Sequence, residues 1–188
     1  MNPKLLVRIS NVELSNVGQS YRSSRHPINF NRNDNMLDSY IHNCSLHKTF
    51  NRAINIHLTN YLSIKHNFIY DIKGSGFVLH DGREIGNTLA HNLAIFVKPS
   101  ASNEDGTPAA FMVASPNNKI NHNSVAGCSH FGFWYRTFDE PLREDESDEI
   151  SYGYRPNRVQ LDEFTGNVVH SVGRYGLWIF PGYTPFNK

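Results

Sequence analysis

The chain has 188 residues, 19% of them charged, and a formal net charge of +1 at pH 7. This length suffices for one domain with its own core, and the near-neutral charge gives no reason to expect nucleic acid or an anionic membrane as a partner. Two cysteines make no disulfide framework. No signal peptide and no apolar run of bilayer length is visible, so we expect no direct membrane insertion by this segment.

A spaced pair of Asn and Gly recurs along the chain. Asn67 is followed nine residues later by Gly76, and the same spacing recurs at Asn123–Gly132 and Asn167–Gly176. Asn tolerates left-handed backbone and fills tight turns, and no apolar pattern of helical period competes with this repeat. The recurrence therefore predicts a repeat architecture.

Six equivalent positions define the repeats. They are Val12, Cys44, Asn67, Asn92, Asn123 and Asn167. Three residues before them stand Ile9, Ile41, Ile64, Leu89, Ile120 and Phe164. Two residues after them stand Leu14, Leu46, Ile69, Ala94, Val125 and Val169. Because side chains alternate across a strand, these apolar columns predict ladders that point into one core.

A second strand in each repeat has two more apolar columns. With loops allowed, they are Ile28/Phe30, Ile54/Ile56, Phe77/Leu79, Phe111/Val113, Phe133/Tyr135 and Leu177/Ile179. We therefore predict an all-β, single-stranded parallel β-helix of about six coils with inserted loops, one domain over residues 1–188. Gly76, Gly132 and Gly176 are expected just before the second strand, where a sharp bend favours Gly. Neither end has an obvious cap, so we expect a fragment of a larger protein.

Three stretches are expected to lie outside the coils as loops, at Tyr21–Pro27, Lys98–Pro108 and Thr137–Asn157. The third is acidic and could hold a metal ion, but it lacks the ordered ligand spacing of a calcium loop, which favours a solvated loop. His66, His91 and His122 each precede an equivalent position and should stack on one edge. A structural stack is the favoured interpretation, and we predict no metal and no cofactor.

Several ordered stretches resemble a known family. They are Val12–Gln19, Arg25–Asn31, His80–Thr88, Asn92–Ser100, Ser115–Asn118 and Gly132–Arg136. Together they are similar to the parallel β-helix region shared by fibrocystin-L, fibrocystin and the cell-surface hyaluronidases, with fibrocystin-L as the most similar branch. The resemblance implies a right-handed helix. It also implies a large extracellular or cell-surface parent, membrane-anchored and with neighbouring domains.

The outward columns of the second strand form the candidate ligand surface. One column reads Asn29, Asn55, Val78, Met112, Trp134 and Trp178, and the other reads Asn31, His57, His80, Ala114, Arg136 and Phe180. Sugar rings stack on aromatic side chains with polar groups alongside to orient them. The predicted ligand-binding residues are Asn29, Asn31, Trp134, Arg136 and Trp178. In the alternative interpretation, inserted loops cover this face and bury the Trp residues.

The hyaluronidase-like members usually carry His at the positions that match Asn29 and Asn31. An Asn side chain is uncharged and cannot act as a general acid or base near neutral pH. The remaining catalytic candidates are Arg25, His57, His80 and Asp81. His80 and Asp81 could form an acid/base pair, but adjacent strand residues point to opposite faces, which favours a structural role.

The favoured hypothesis is a non-catalytic extracellular module, a rigid scaffold that presents a surface to an extracellular glycan or protein. One alternative is a glycan-depolymerising domain that resembles the cell-surface hyaluronidases. Another is a structural segment of an extracellular or ciliary filament. Asn43 starts the sequon Asn43–Cys44–Ser45 and is a glycosylation candidate if it is exposed at a coil corner.

Overall fold

A computed structural model describes residues 6–22, 24–101, 106–141 and 153–186. In these ranges the regular structure consists of eighteen short β-strands and one turn of 3-10 helix at Pro156–Arg158. Most of the predicted acidic loop falls in residues 142–152, which lie outside the described residues. Within the described ranges no helix is long and apolar enough to cross a membrane.

The strands form three parallel sheets of six, and each coil contributes one strand to each sheet. Sheet A holds β1 (Arg8–Ser10), β4 (Tyr40–His42), β7 (Ser63–Lys65), β10 (Thr88–Ala90), β13 (Lys119–Asn121) and β16 (Glu163–Thr165). Sheet B holds β2 (Glu13–Ser15), β5 (Ser45–Thr49), β8 (Phe68–Lys73), β11 (Leu93–Lys98), β14 (Ser124–Ala126) and β17 (Val168–His170).

Sheet C carries the candidate ligand surface and the longest of the described strands. It holds β3 (Ile28–Asn35), β6 (Ile54–Asn60), β9 (Phe77–Leu79), β12 (Ala109–Val113), β15 (Phe131–Tyr135) and β18 (Tyr175–Ile179). The order β3-β6-β9-β12-β15-β18 advances by one coil at each step. The protein is therefore a parallel β-helix, as the sequence predicts.

The backbone pairing reproduces the predicted register in all six coils. In sheet A, Ile9 pairs with Ile41 and Ile41 with Ile64. In sheet B, Leu46 pairs with Ile69, and in sheet C Asn55 pairs with Val78. Equivalent residues of successive coils thus lie one above another, because parallel pairing without slippage preserves the sequence period.

The inward columns form one continuous core. Phe111 stacks on Phe77 at 4.7 Å between ring centroids and on Phe133 at 4.9 Å, with interplanar angles of 13° and 18°. All three side chains are buried. Stacking of like residues follows from the helix itself, because each coil places the same column at the same distance from the axis.

An asparagine ladder marks the corner between sheets A and B. The Nδ2 group of Asn67 donates to the Oδ1 of Asn92 at 3.0 Å and to the carbonyl oxygen of Ile41 at 2.9 Å. The pattern continues through Asn123 to Asn167. The recurring Asn is therefore a buried amide that ties each coil to its neighbours.

The residue before each ladder position has left-handed backbone. These residues are Asn11, Asn43, His66, His91, His122 and Gly166, with φ between 54° and 64°. Asn tolerates this conformation better than most residues, which explains part of its abundance. The corner is thus specified by two consecutive residues, one for backbone geometry and one for hydrogen bonding.

The spacing of glycines that recurs along the chain has a different cause from the predicted one. Gly76 precedes β9, as expected, but Gly132 and Gly176 lie inside β15 and β18. A Cβ atom on Gly76 would approach the carbonyl oxygen of Ala110 to 2.5 Å, and one on Gly132 would approach that of Gly176 to 2.7 Å. At Gly76 and Gly132, close approach of the adjacent coil, rather than the predicted sharp bend, excludes a side chain.

Candidate functional site

The first part of the candidate surface lies on the outer side of β3 and β6. Asn29 and Asn31 are exposed, whereas Asn55 and His57 beneath them are fully buried. The Nδ2 of Asn55 donates to the Oδ1 of Asn29 at 3.1 Å, and the Nδ1 of His57 lies 2.9 Å from the Oδ1 of Asn31. Because an amide oxygen only accepts, Nδ1 of His57 carries the proton in this contact.

A buried arginine, which the sequence does not single out, connects this pair to His80. Arg52 donates through Nη1 to the Oδ1 of Asn55 at 3.1 Å and to the Nδ1 of His80 at 2.7 Å. A guanidinium only donates, so Nδ1 of His80 is the accepting nitrogen. His57 and His80 meet edge to face, 5.8 Å between centroids. The only sequence signal for Arg52 is a charge placed next to an apolar strand.

The turn after β9 uses its two carboxylates for local structure. Asp81 is buried and binds Arg83 through both oxygens, at 2.6 Å to Nε and 2.8 Å to Nη2. Glu84 is also buried and accepts backbone N–H groups from Leu58, Asp81 and Gly82 at 2.9–3.1 Å. Burial, followed by the nearby charge of Asp81, raises the pKa of Glu84. Both groups hold the corner between sheets C and A.

Arg25 is exposed in the loop before β3. Its backbone carbonyl oxygen accepts the N–H of Gln19 at 3.0 Å. Of the four catalytic candidates, the fold thus brings His57 and His80 into contact. Asp81 is engaged by Arg83, and Arg25 stands at the exposed rim.

The aromatic part of the candidate surface is largely covered. Trp134 is 9% exposed and belongs to a second apolar cluster with Val78, Ala109, Met112 and Phe131. Its Nε1 donates to the carbonyl oxygen of Phe180 at 3.0 Å. Trp134 therefore offers little ring surface to a ligand, in line with the interpretation in which this face is covered.

Trp178 and Arg136 are more accessible. Trp178 is half-buried and stacks between Trp134 and Phe180, with centroid distances of 5.0 and 4.9 Å. The guanidinium of Arg136 lies 5.1 Å from the ring centroids of both Trp134 and Phe138. The last coil thus presents a short aromatic stack with one cation beside it.

Two other predicted features, the His stack and Asn43, lie on the corner between sheets A and B. The His rings stack as expected, His66 on His91 at 5.0 Å and His91 on His122 at 5.1 Å, each with an angle of 5°. Asn43 is exposed at the same corner, one coil away. Among the described residues, no three His, Cys, Asp or Glu side chains are grouped to hold a metal ion. Cys44 and Cys128 are buried free thiols.

The three parallel sheets of six strands define the class of parallel β-helix proteins. The CEMIP beta-helix family matches residues 1–177, so the chain belongs to that family. It is 48% identical over 181 residues to fibrocystin-L of Mus musculus, and 48% identical over 183 residues to that of Homo sapiens. Each match covers 95% of this chain but only 4% of the relative.

A second group of relatives is more distant. The chain is 31% identical over 215 residues to the cell surface hyaluronidase CEMIP2 of Homo sapiens, covering 97% of this chain and 15% of that protein. It is 30% identical over 206 residues to the cell surface hyaluronidase of Danio rerio, covering 92% and 15%. The chain therefore spans a small part of each relative, and their whole-protein activities are not assigned to it.

Proposed function

We propose that this chain is a non-catalytic β-helix module of an extracellular or cell-surface protein, a rigid scaffold whose sheet C face binds a glycan or a protein. One observation carries the proposal. The exposed side chains next to the buried Asn55 and His57 are the amides of Asn29 and Asn31, which cannot act as a general acid or base near neutral pH. The cell-surface names of the hyaluronidase relatives support the location.

The titratable groups around this pair support the same conclusion. Glu84 accepts three backbone N–H groups, and Asp81 accepts hydrogen bonds from Nε and Nη2 of Arg83. Groups engaged in this way hold the turn after β9 in place, which favours a structural role for both carboxylates. A binding role requires no proton transfer. The aromatic stack of Trp178 and Phe180, with Arg136 nearby, offers apolar and polar contacts to one ligand.

Incubation with long-chain hyaluronan, followed by sizing of the products, tests the non-catalytic part. We expect the length distribution to stay unchanged, and shortened chains would overturn the proposal. The double variant Asn29→His/Asn31→His restores imidazoles at the positions where the resemblance implies them. Activity that appears only in this variant would show that the two amides account for the inactivity.

A glycan array with the intact chain and a Trp178→Ala variant tests the binding part. We expect a hit whose signal falls in the variant while its circular dichroism spectrum and unfolding temperature stay close to those of the parent. Because Trp178 is half-buried and Trp134 is buried, Trp178 is the better probe of the surface. If binding survived Trp178→Ala, the ligand site would lie outside sheet C.

A second candidate function is glycan depolymerisation. The contact of His57 with His80 beside Arg52 favours it, since two imidazoles and a guanidinium lie within one small region. The same sizing experiment decides it. Product formation that is lost on His57→Gln and on His80→Gln would establish this alternative.

A further inference from the structure

The outer face of sheet B carries a group of exposed hydrophobic side chains, three of them aromatic, which is separate from the sheet C surface. Its members are Phe68, Tyr70, Leu93 and Phe96, which are 36%, 37%, 36% and 44% exposed. Phe68 pairs with Leu93 across the strands. Tyr70 stacks on Phe68 at 6.2 Å and meets Phe96 edge to face at 5.7 Å. These four side chains, called the sheet B patch, form one contiguous surface on β8 and β11.

Phe96 contacts Tyr70 at one end of the sheet B patch. Its backbone is left-handed, with φ of 54°. Gly127 lies beneath it in the next coil, and a Cβ atom there would come within 2.7 Å of two ring carbons of Phe96. The ring therefore packs against the Gly127 backbone and meets Tyr70 edge to face, while 44% of the residue remains exposed. A partly exposed ring that its neighbours hold in place suits stacking on a sugar, because little side-chain freedom is lost on binding.

An ion pair beside the ring supplies polar contacts. The Nζ of Lys98 lies 2.7 Å from the Oδ1 of Asp71, and both side chains remain partly exposed. The register places Asp71 opposite Phe96, because Tyr70 pairs with Ile95 and Ile72 with Val97. A donor and an acceptor thus flank the aromatic surface, as they do where sugar hydroxyls are recognised.

The charge of this edge is positive. Lys73 is the register partner of Lys98, and the register places Lys48 opposite Asp71. Lys73 also lies 5.0 Å above the centroid of Phe50. Asp71 pairs with Lys98, so the positive charges of Lys48 and Lys73 remain. These two lysines lie in adjacent coils, about 5 Å apart between strands and about 7 Å apart along them. Cations in neighbouring coils match a ligand that carries more than one anion.

We propose that the sheet B patch with Lys48, Lys73 and Lys98 is a binding site for a sulfated polysaccharide. The exposed surface of the four patch side chains is about 300 Å², less than the about 800 Å² that each partner contributes to a standard protein interface. A linear polysaccharide needs a narrow strip, and its apolar ring faces and sulfates match the aromatic ring and the lysines. Hyaluronan, with one carboxylate per disaccharide and no sulfate, matches the lysines less well.

The probes are chondroitin sulfate chains, the same chains after chemical desulfation, and hyaluronan, each titrated by calorimetry against the full chain. We expect chondroitin sulfate to bind about tenfold more tightly than either unsulfated polymer, and the affinity to fall with added salt. Equal affinity for the desulfated chain, or no binding to any of the three, would overturn the proposal.

Two variants and two matched controls locate the site. The variants Phe96→Asn and Lys73→Gln/Lys98→Gln should each lower the affinity at least about fivefold. Asn is chosen at position 96 because it tolerates left-handed backbone. Tyr61→Asn is the aromatic control, because Tyr61 also has left-handed backbone and rests on a glycine, Gly86, away from sheet B. Lys119→Gln on sheet A is the charge control.

The two sites are separable, since this proposal does not depend on the sheet C surface. Loss of binding in the sheet B variants, with both controls unchanged, supports it whatever the outcome for sheet C. Loss on Trp178→Ala with Phe96→Asn unaffected would place the polysaccharide on sheet C and overturn the present assignment. Unchanged binding in all variants would also overturn it, because the contacts would then be diffuse and ionic.

Discussion

Each ladder asparagine uses both ends of its amide. The Oδ1 of Asn92 accepts the backbone N–H and the Nδ2 of Asn67 at 2.9 and 3.0 Å. Its own Nδ2 donates to the carbonyl oxygen of Ile64 and to the Oδ1 of Asn123, both at 3.0 Å. Asn92 is 1% exposed, so water cannot replace these bonds. A polar residue in the core is therefore structural here.

Replacing Asn92 by Ala should leave at least two buried donors without acceptors. We expect the free energy of unfolding to fall by about 2–4 kcal/mol, the cost of two to three unsatisfied buried groups. Urea denaturation measures it. The control is Asn117→Ala, at an exposed position, which should change stability by less than about 0.5 kcal/mol. Equal effects of the two substitutions would contradict the ladder argument.

The raised pKa of Glu84 should make the stability of the fold depend on pH. Its pKa is raised in the folded state, chiefly by burial, so the folded protein holds this proton more tightly than the unfolded chain. Stability from this group is therefore greatest below the ordinary carboxyl pKa and falls as pH rises through the raised value. Urea unfolding at pH values from acidic to neutral should show this slope in the parent and not in Glu84→Gln.

The exposed carboxylate Glu140 provides the comparison for Glu84. Glu140→Gln should leave the slope of stability against pH as it is in the parent, because an exposed group interacts with water in both states. A slope that persists unchanged in Glu84→Gln would show that Glu84 is not its source.

At the scale of the element, the strands are short and gain their stability from stacking. β9 has three residues and β12 has five, yet Phe77, Phe111 and Phe133 form an uninterrupted ring stack across β9, β12 and β15. No strand of this length is stable alone. Contacts between coils, rather than strand propensity, therefore hold each sheet together.

Phe111 occupies the middle of this stack and is fully buried. Phe111→Ala should lower the free energy of unfolding by about 3–5 kcal/mol, since it removes apolar burial and leaves a cavity between two coils. Phe111→Leu should cost less, because it refills most of the volume. Thermal and urea unfolding measure both, with the exposed Phe186→Ala expected to be near neutral. A loss below about 1 kcal/mol for Phe111→Ala would contradict a rigid stack.

At the scale of the whole molecule, the two thiols report on opposite parts of the stack. Cys44 precedes β5 in the second coil, and Cys128 follows β14 in the fifth. Both are buried, and burial raises the pKa of Cys128 to about 11. A thiol in this state is unreactive at neutral pH because the thiolate is the nucleophile. Labelling should therefore require opening of the coils.

Thiol labelling across a urea series should give the same midpoint for Cys44 and Cys128, measured on the single variants Cys128→Ala and Cys44→Ala. We expect coincidence because the core is continuous through all six coils. Each midpoint is compared with the loss of circular dichroism of the same variant. Earlier labelling of one thiol would show that the solenoid opens in sections, which nearest-neighbour stacking also permits.

The sequence by itself determined the register of this protein. The columns headed by Ile9 and Leu14 and the asparagine ladder recur with a period that only parallel coils can satisfy, so inward side chains and corner residues follow from local pattern. The left-handed corner at His66 and its stack on His91 follow in the same way.

Only the tertiary structure decided what each outward residue contributes. The burial of Trp134 depends on its contacts with Trp178 and Phe131, and the contact of Arg52 with His80 depends on the turn before β6. The space at Gly132 and the ring of Phe96 over Gly127 likewise depend on contacts between residues far apart in the chain. A repeat specifies which way a side chain points, whereas the size and chemistry of its particular neighbours set whether it stays exposed.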